Sequence, residues 1–267
     1  MSEYILGSDA EEIARLDRQA AALAGASEAL LRMSGIGPGM RVLDLGTGLG
    51  HVAFQVADMV GPEGSVVGVD REAPALAVAE SRRTTDSVRF LDGEVRTVRF
   101  EEPFDAIVCR LLLMHLPDAV EVLRHHRDNL RPGGLMVVLD ADNGSARAEP
   151  EVELVRQVND WIEAAFRGAG ADPRIGARLI PVLREAGYAD VTAIGLQGYI
   201  APGDPPGAAL FTSVLRTLAP TIVANGIATE EEMGLDTLDE RLRNEIEAAR
   251  AVLLPPTIAG AWGRLRS

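Results

Sequence analysis

The stretch Val42-Leu43-Asp44-Leu45-Gly46-Thr47-Gly48-Leu49-Gly50 constrains the fold more than any other part of the chain. An apolar strand carries an acid into a turn with glycines at alternate positions. Gly46, Gly48 and Gly50 lack a Cβ, so the backbone can take positive φ and approach a ligand closely, while the helix that follows points its unpaired N–H groups toward it. Asp44 places a carboxylate at the strand end, which a phosphate cradle avoids. A dinucleotide fingerprint needs its third glycine where His51 stands, and a P-loop needs a lysine, which the chain does not contain. The turn therefore suits a small charged ligand other than a pyrophosphate.

From residue 41 to 140, short apolar runs alternate with helical patterns, which predicts a parallel sheet with crossover helices. The strands fall at Arg41 to Leu45, Ser65 to Val69, Val88 to Leu91, Phe104 to Cys109 and Leu135 to Asp140. Helices are expected near His51 to Val60, Ala73 to Arg83 and Asp118 to Leu130, the last stopped by Arg131-Pro132-Gly133-Gly134. Ahead of this core, Ser8 and Glu11 form a capping-box pattern that opens one helix, and a second helix spans Ser27 to Met33. After it come helices at Glu149 to Phe166 and Arg174 to Ala186, a strand from Val191 to Ile200, and a Pro/Gly loop. Two more helices follow, Ala208 to Ala224 and Thr237 to Ala251, the latter opened by a Thr237/Glu240 capping box. A final strand covers Ile258 to Leu265.

A formal net charge of -14 would repel a nucleic-acid backbone or an anionic membrane surface, so neither is expected as a partner. All 26 basic residues are arginine, which excludes any lysine Schiff base. The lone cysteine, Cys109, sits in an apolar run and reads as a small hydrophobe. The opening residues lack a basic n-region and a long apolar run, which leads to the expectation of a cytoplasmic protein. A homodimer is the expected assembly.

The Asp44 to Gly50 segment resembles motif I of the class I S-adenosylmethionine (SAM)-dependent methyltransferases, an apolar strand followed by D-x-G-x-G-x-G. Three later elements extend the resemblance. Asp70 ends the second strand, where an acid can accept both ribose hydroxyls or cap the next helix. Asp92-Gly93 ends the third, either as the family's adenine contact or as a plain turn. The fourth strand runs through Cys109-Arg110 into Leu111-Leu112-Leu113-Met114-His115, which resembles the family's floor for methyl transfer, and Leu130 to Leu135 resembles its motif before strand five. The resemblance covers residues 36 to 200 well. It implies a Rossmann-like α/β fold with a seven-stranded, mostly parallel sheet, helices on both faces and a helical lid. It also implies SAM as cofactor, held by Asp44, Gly46, Thr47, Gly48, Gly50, Asp70, Arg71, Asp92, Gly93 and Arg110. The domain expectation is an N-terminal helical cap at 1–35 and a core at 36–267, with lid insertions at about 143–173 and 202–250.

The resemblance implies methyl transfer to a small, largely apolar acceptor, in the quinone, sterol and natural-product branch. Some relatives bind SAM yet catalyse a cyclisation or rearrangement, and a non-enzymatic SAM-binding protein is a further alternative. Catalytic candidates are His115, at the mouth beyond strand four, and Tyr4, if the N-terminal segment crosses the site. His51 reads as a spacer beside the cofactor. His125-His126 read as solvated surface, and no metal site is expected. Trp161, Ile162, Phe166, Tyr199, Leu210 and Phe211 either line an acceptor pocket or pack the lid.

Overall fold

The computed structural model describes residues 10–204 and 207–266. The chain forms two compact units. The larger takes described residues 10–140, 176–195 and 259–266, and the smaller takes 141–175 and 196–258. Tyr4 and Ser8 lie outside the described residues.

The larger unit is organised by a seven-stranded sheet. In chain order its strands are β1 (Arg41–Leu45), β2 (Ser65–Asp70), β3 (Val88–Asp92), β4 (Phe104–Arg110), β5 (Leu130–Asp142), β7 (Tyr188–Leu196) and β9 (Thr257–Leu265). The spatial order is β3-β2-β1-β4-β5-β9-β7, so the last strand inserts between β5 and β7. Registers β1/β2, β1/β4, β2/β3 and β4/β5 are all parallel. Val42, Leu43, Leu45, Val66, Val69, Ala106, Ile107 and Val108 are fully buried, as a parallel sheet covered on both faces requires. Strand order reverses between β1 and β4, and in open α/β sheets ligands enter the crevice at the carboxyl ends of the strands flanking such a reversal. The glycine turn and Arg110 stand at those two ends.

The crossover helices are α2 (His51–Val60), α3 (Ala73–Ser81) and α4 (Ala119–His125). Val52, Ala53, Val56, Ala57, Met59 and Val60 make the buried face of α2, and Pro74 starts α3 where a missing N–H costs nothing. The N-terminal segment, read as two helices, is one: α1 (Ala10–Ser34) runs through Gly25 unbroken. Burial of Leu30 and Leu31 outweighs the glycine's weak helix propensity. Leu30 packs where Gly260 of β9 leaves room, 2.9 Å from where a Cβ would stand, so the described part of this segment belongs to the sheet unit rather than to a separate cap.

Two further expectations need correction. The stop at Arg131 to Gly134 is a bulge within β5, since register with β4 jumps from Phe104↔Leu130 to Ala106↔Leu135, and Gly133 takes φ 76° there. The capping box lies at Thr229/Glu232 rather than Thr237/Glu240. Glu232 N–H donates to Thr229 Oγ1 at 3.1 Å and Thr229 N–H to Glu232 Oε2 at 2.7 Å. Thr237 instead has helical backbone angles, and its hydroxyl donates to the Gly234 carbonyl.

The smaller unit contains β6 (Arg147–Glu149) paired antiparallel with β8 (Val252–Leu254), and the helices α5 (Glu153–Gly168), α7 (Gly207–Ala224), α8 (Glu230–Met233) and α9 (Leu238–Ala249). α6 (Leu179–Glu185) belongs to the sheet unit. Among the described residues α7 alone is long and apolar enough to cross a membrane, at mean hydropathy 1.4. Its Phe211, Leu215, Leu218 and Ile222 are nevertheless buried in one cluster with Val155, Val158, Leu242 and Ile246. Trp161 and Ile162 belong to the same cluster, so core packing, not pocket lining, is the role seen for them and for Phe211. Tyr199 is 75% exposed.

Candidate cofactor site

The glycine turn is tied to β2. Gly46 and Thr47 N–H both donate to the Val69 carbonyl, at 2.8 and 3.0 Å, which fixes the turn beside the next strand end. Gly46, Gly48 and Gly50 take φ of 66°, 53° and 81°, in the left-handed region that disfavours a side chain. Their surroundings differ. A Cβ on Gly46 would stand 2.9 Å from Leu112 Cδ1, and one on Gly50 2.8 Å from Phe90 and 2.9 Å from Phe54, whereas one on Gly48 would meet nothing within 4 Å. Gly46 and Gly50 therefore let the turn pack on its own protein, and Gly48 alone leaves space for a ligand.

Three carboxylates stand at successive strand ends. Asp44 is 1% exposed and accepts the Thr47 hydroxyl at 2.7 Å on Oδ2. Burial pushes its pKa up to about 7, opposed by the Thr47 hydrogen bond, the Arg110 guanidinium and the Ala53 N–H in the first turn of α2. Asp70 does not cap the next helix, whose N-cap is Glu72; it braces the turns on either side of it. Its Oδ2 accepts the Gly48 N–H at 2.7 Å and its Oδ1 accepts the Glu72 N–H at 3.1 Å, leaving lone pairs on each oxygen. Asp92 is exposed, and it is the register partner of Asp70 on the neighbouring strand. Gly93 N–H donates to the Asp70 carbonyl at 3.0 Å, and a Cβ on Gly93 would crowd Val69 at 3.2 Å. Arg71 is half exposed and lies 3.4 Å from Glu72 and 3.9 Å from Glu94.

At the end of β4, Arg110 Nη1 donates to Ser27 Oγ of α1 at 2.9 Å. Burial lowers its pKa and Asp44 opposes the shift. Leu111 follows at φ 53°, a backbone state costly for a side-chain-bearing residue, with its N–H held by the Leu139 carbonyl at 2.8 Å. His115 lies in the short 3-10 turn beyond. Burial, with Arg15 and Arg71 adding positive charge, drives its pKa down to about 4, so at neutral pH it is an uncharged imidazole and a weak base.

The other histidines divide. His51 Nε2 stands 2.9 Å from Asp17 of α1, and Asp17 also takes both guanidinium nitrogens of Arg82, at 2.8 and 2.9 Å. Burial lowers the His51 pKa against the pull of Asp17. The solvated-surface reading of His126 is wrong: it is fully buried, with Nε2 against the Val95 carbonyl at 2.8 Å and Nδ1 against Asn129 Nδ2 at 2.9 Å. His125 is half-buried on the Val98 carbonyl. Cys109 is buried with its thiol pKa pushed up, which leaves it inert. No cluster able to hold a metal occurs among the described residues.

The sequence reading missed Ser27, Asp17 and Asp140. Asp140 is fully buried near the end of β5 and accepts the Met114 N–H at 3.2 Å. None belongs to a local motif, and only the packing of distant elements brings them to the site.

A mostly parallel sheet in this order, with an acid-bearing glycine turn at the switch point and acids on the next two strand ends, defines the class I SAM-dependent methyltransferase fold. The methyltransferase domain family matches residues 36–187, more than half of the chain, and the chain belongs to that family. It is 37% identical over 115 residues to the 2-phytyl-1,4-naphtoquinone methyltransferase of Synechococcus elongatus, covering 41% of this chain and 49% of that protein. It is 29% identical over 223 residues to the methyltransferase str2 of Strobilurus tenacellus, covering 80% of this chain and 78% of that protein. In fold it resembles phosphoethanolamine N-methyltransferase 2 of Haemonchus contortus in complex with S-adenosyl-L-methionine, at TM-score 0.56 and 18% identity over 91% of this chain and 53% of that one. The chain spans about half the length of the quinone relative it matches.

Proposed function

We propose that this chain transfers a methyl group from SAM to a small, largely apolar acceptor. The observation that carries the reading is the row Asp44, Asp70, Asp92 at adjoining strand ends, beside a glycine turn whose Gly48 leaves open space. The residues fit an aminoacyl nucleoside. A buried carboxyl poised near neutrality suits an ammonium, the Asp70 lone pairs suit ribose hydroxyls, and Asp92 with Gly93 suits an adenine edge. Arg110 suits the carboxylate end.

When bound, SAM supplies a methyl group already activated by its sulfonium, so the acceptor needs placement more than activation. In this reading the neutral His115 orients the acceptor by accepting a hydrogen bond rather than by removing a proton, because its pKa of about 4 makes it a poor base near pH 7. The names of the relatives support a quinone-type acceptor.

The test is incubation with methyl-labelled SAM and a panel of hydroquinones, phenols and naphthols, followed by mass analysis. The expected product gains one labelled methyl. Intact binding of S-adenosylhomocysteine with no mass gain from any acceptor, and a substrate rearranged at constant mass, would remove methyl transfer from the reading.

A further inference from the structure

The family match begins at residue 36, yet α1, which precedes it, reaches the site at two points. Ser27 is 0% exposed, in the middle of a helix whose hydroxyls ordinarily turn to solvent or to their own backbone. Its Oγ instead accepts the Arg110 guanidinium at 2.9 Å. Arg110 needs such an anchor. It is the last residue of β4, the chain leaves it through the strained Leu111, and a guanidinium on a long stem otherwise has considerable rotamer freedom. α1 is itself well fixed, by Gln55 Nε2 donating to the Ala24 carbonyl at 3.1 Å, by the Asp17–Arg82 pair and by the packing of Leu30 on Gly260.

We propose that Ser27 is a positioning residue for the cofactor: it holds the Arg110 guanidinium at the end of β4, the strand paired with the Asp44-bearing β1, so that an anion reader and a cation reader face the two ends of an amino-acid zwitterion. The inference rests on the SAM reading above. Its consequence is selective. Loosening Arg110 weakens ligands that carry the amino-acid end and leaves the nucleoside end untouched, because the latter depends on Asp70, Asp92 and the glycine turn.

The test compares two probes by titration calorimetry: S-adenosylhomocysteine, which carries the zwitterion, and 5′-methylthioadenosine, which lacks it. Ser27→Ala is expected to weaken S-adenosylhomocysteine roughly tenfold, the usual scale of losing a hydrogen bond to a charged group, with methylthioadenosine affinity unchanged. Ser27→Thr, which keeps the hydroxyl, binds both probes close to the wild type. In an Arg110→Gln background Ser27→Ala brings no further loss, since its target is gone. Equal weakening of both probes, or no weakening of either, overturns the positioning role. Failure of the wild type to bind either probe overturns the SAM reading itself, a distinct outcome.

Discussion

As the proposed partner of the cofactor's ammonium, Asp44 should make cofactor affinity a function of pH, with a sign and a slope set by its burial. In the free protein its pKa stands at about 7. An ammonium placed against it favours the charged carboxylate and returns the pKa to the acidic range. Binding therefore expels a proton whenever the pH lies at or below about 7. Affinity is near its maximum at pH 8 and falls by roughly a factor of two at pH 7 and tenfold at pH 6, about 1.4 kcal/mol for each further pH unit. Calorimetry with S-adenosylhomocysteine in buffers of different ionisation enthalpy reads the released proton directly, near one half at pH 7 and near one at pH 6 by the same linkage. His115 and His126, with pKa values of about 4, stay uncharged across this window. His51 is held below its ordinary value, and Asp44→Asn separates any share it has, because that variant keeps the side-chain shape and loses the slope. A wild-type affinity that is flat from pH 8 to pH 6, or a slope that survives Asp44→Asn, would refute the reasoning.

The same raised pKa acts on the ligand-free protein with the opposite consequence. The native state keeps a proton that the unfolded chain has released, so stability from this group is present below pH 4 and declines as the pH rises to about 7; thermal melts of Asp44→Asn, compared with the wild type at pH 5 and pH 8, should gain at both and clearly more at the higher pH. His126 works in the other direction. Its pKa of about 4 means that the unfolded chain takes up a proton first, so stability falls as the pH drops from about 6.5 toward 4, and His126→Gln flattens that limb of the denaturation profile. Gly48→Ala strains only the turn, for about 1–2 kcal/mol, and should abolish S-adenosylhomocysteine binding in a protein that still melts cooperatively. Gly50→Ala should lose more stability than Gly48→Ala in the same melts, because its Cβ meets Phe54 and Phe90. Leu215→Ala, fully buried in α7, should cost about 2–5 kcal/mol in a denaturant titration.

The legible parts of this molecule were those written locally. The glycine turn, the acids that end β2 and β3 and the apolar runs of the parallel strands each carry their signal within a few residues, because burial on both faces demands uninterrupted apolar side chains. Errors arose where distant packing decided. The N-terminal segment reads as two helices, whereas burial of Leu30 and Leu31 on the sheet unit keeps it as one, and the capping pattern at Thr237 loses to an identical one at Thr229. His126 looked polar and exposed because nothing local announces that the Val95 carbonyl and Asn129 will meet it. The Ser27–Arg110 contact joins residues 83 apart in sequence, beyond the reach of any motif. Trp161, Ile162 and Phe211 were ambiguous by periodicity alone, since a packed face and a pocket wall share one pattern.

The central claim is that the strand-end acids and the glycine turn bind SAM, and titration of the wild type and Asp70→Ala with S-adenosylhomocysteine tests it most directly. The account predicts one-to-one binding by the wild type, together with at least a roughly tenfold loss in a folded Asp70→Ala, since Asp70 braces Gly48 and is the proposed acceptor of the ribose hydroxyls. Wild-type protein that binds no S-adenosylhomocysteine, or Asp70→Ala that binds it as tightly as the wild type, would contradict it.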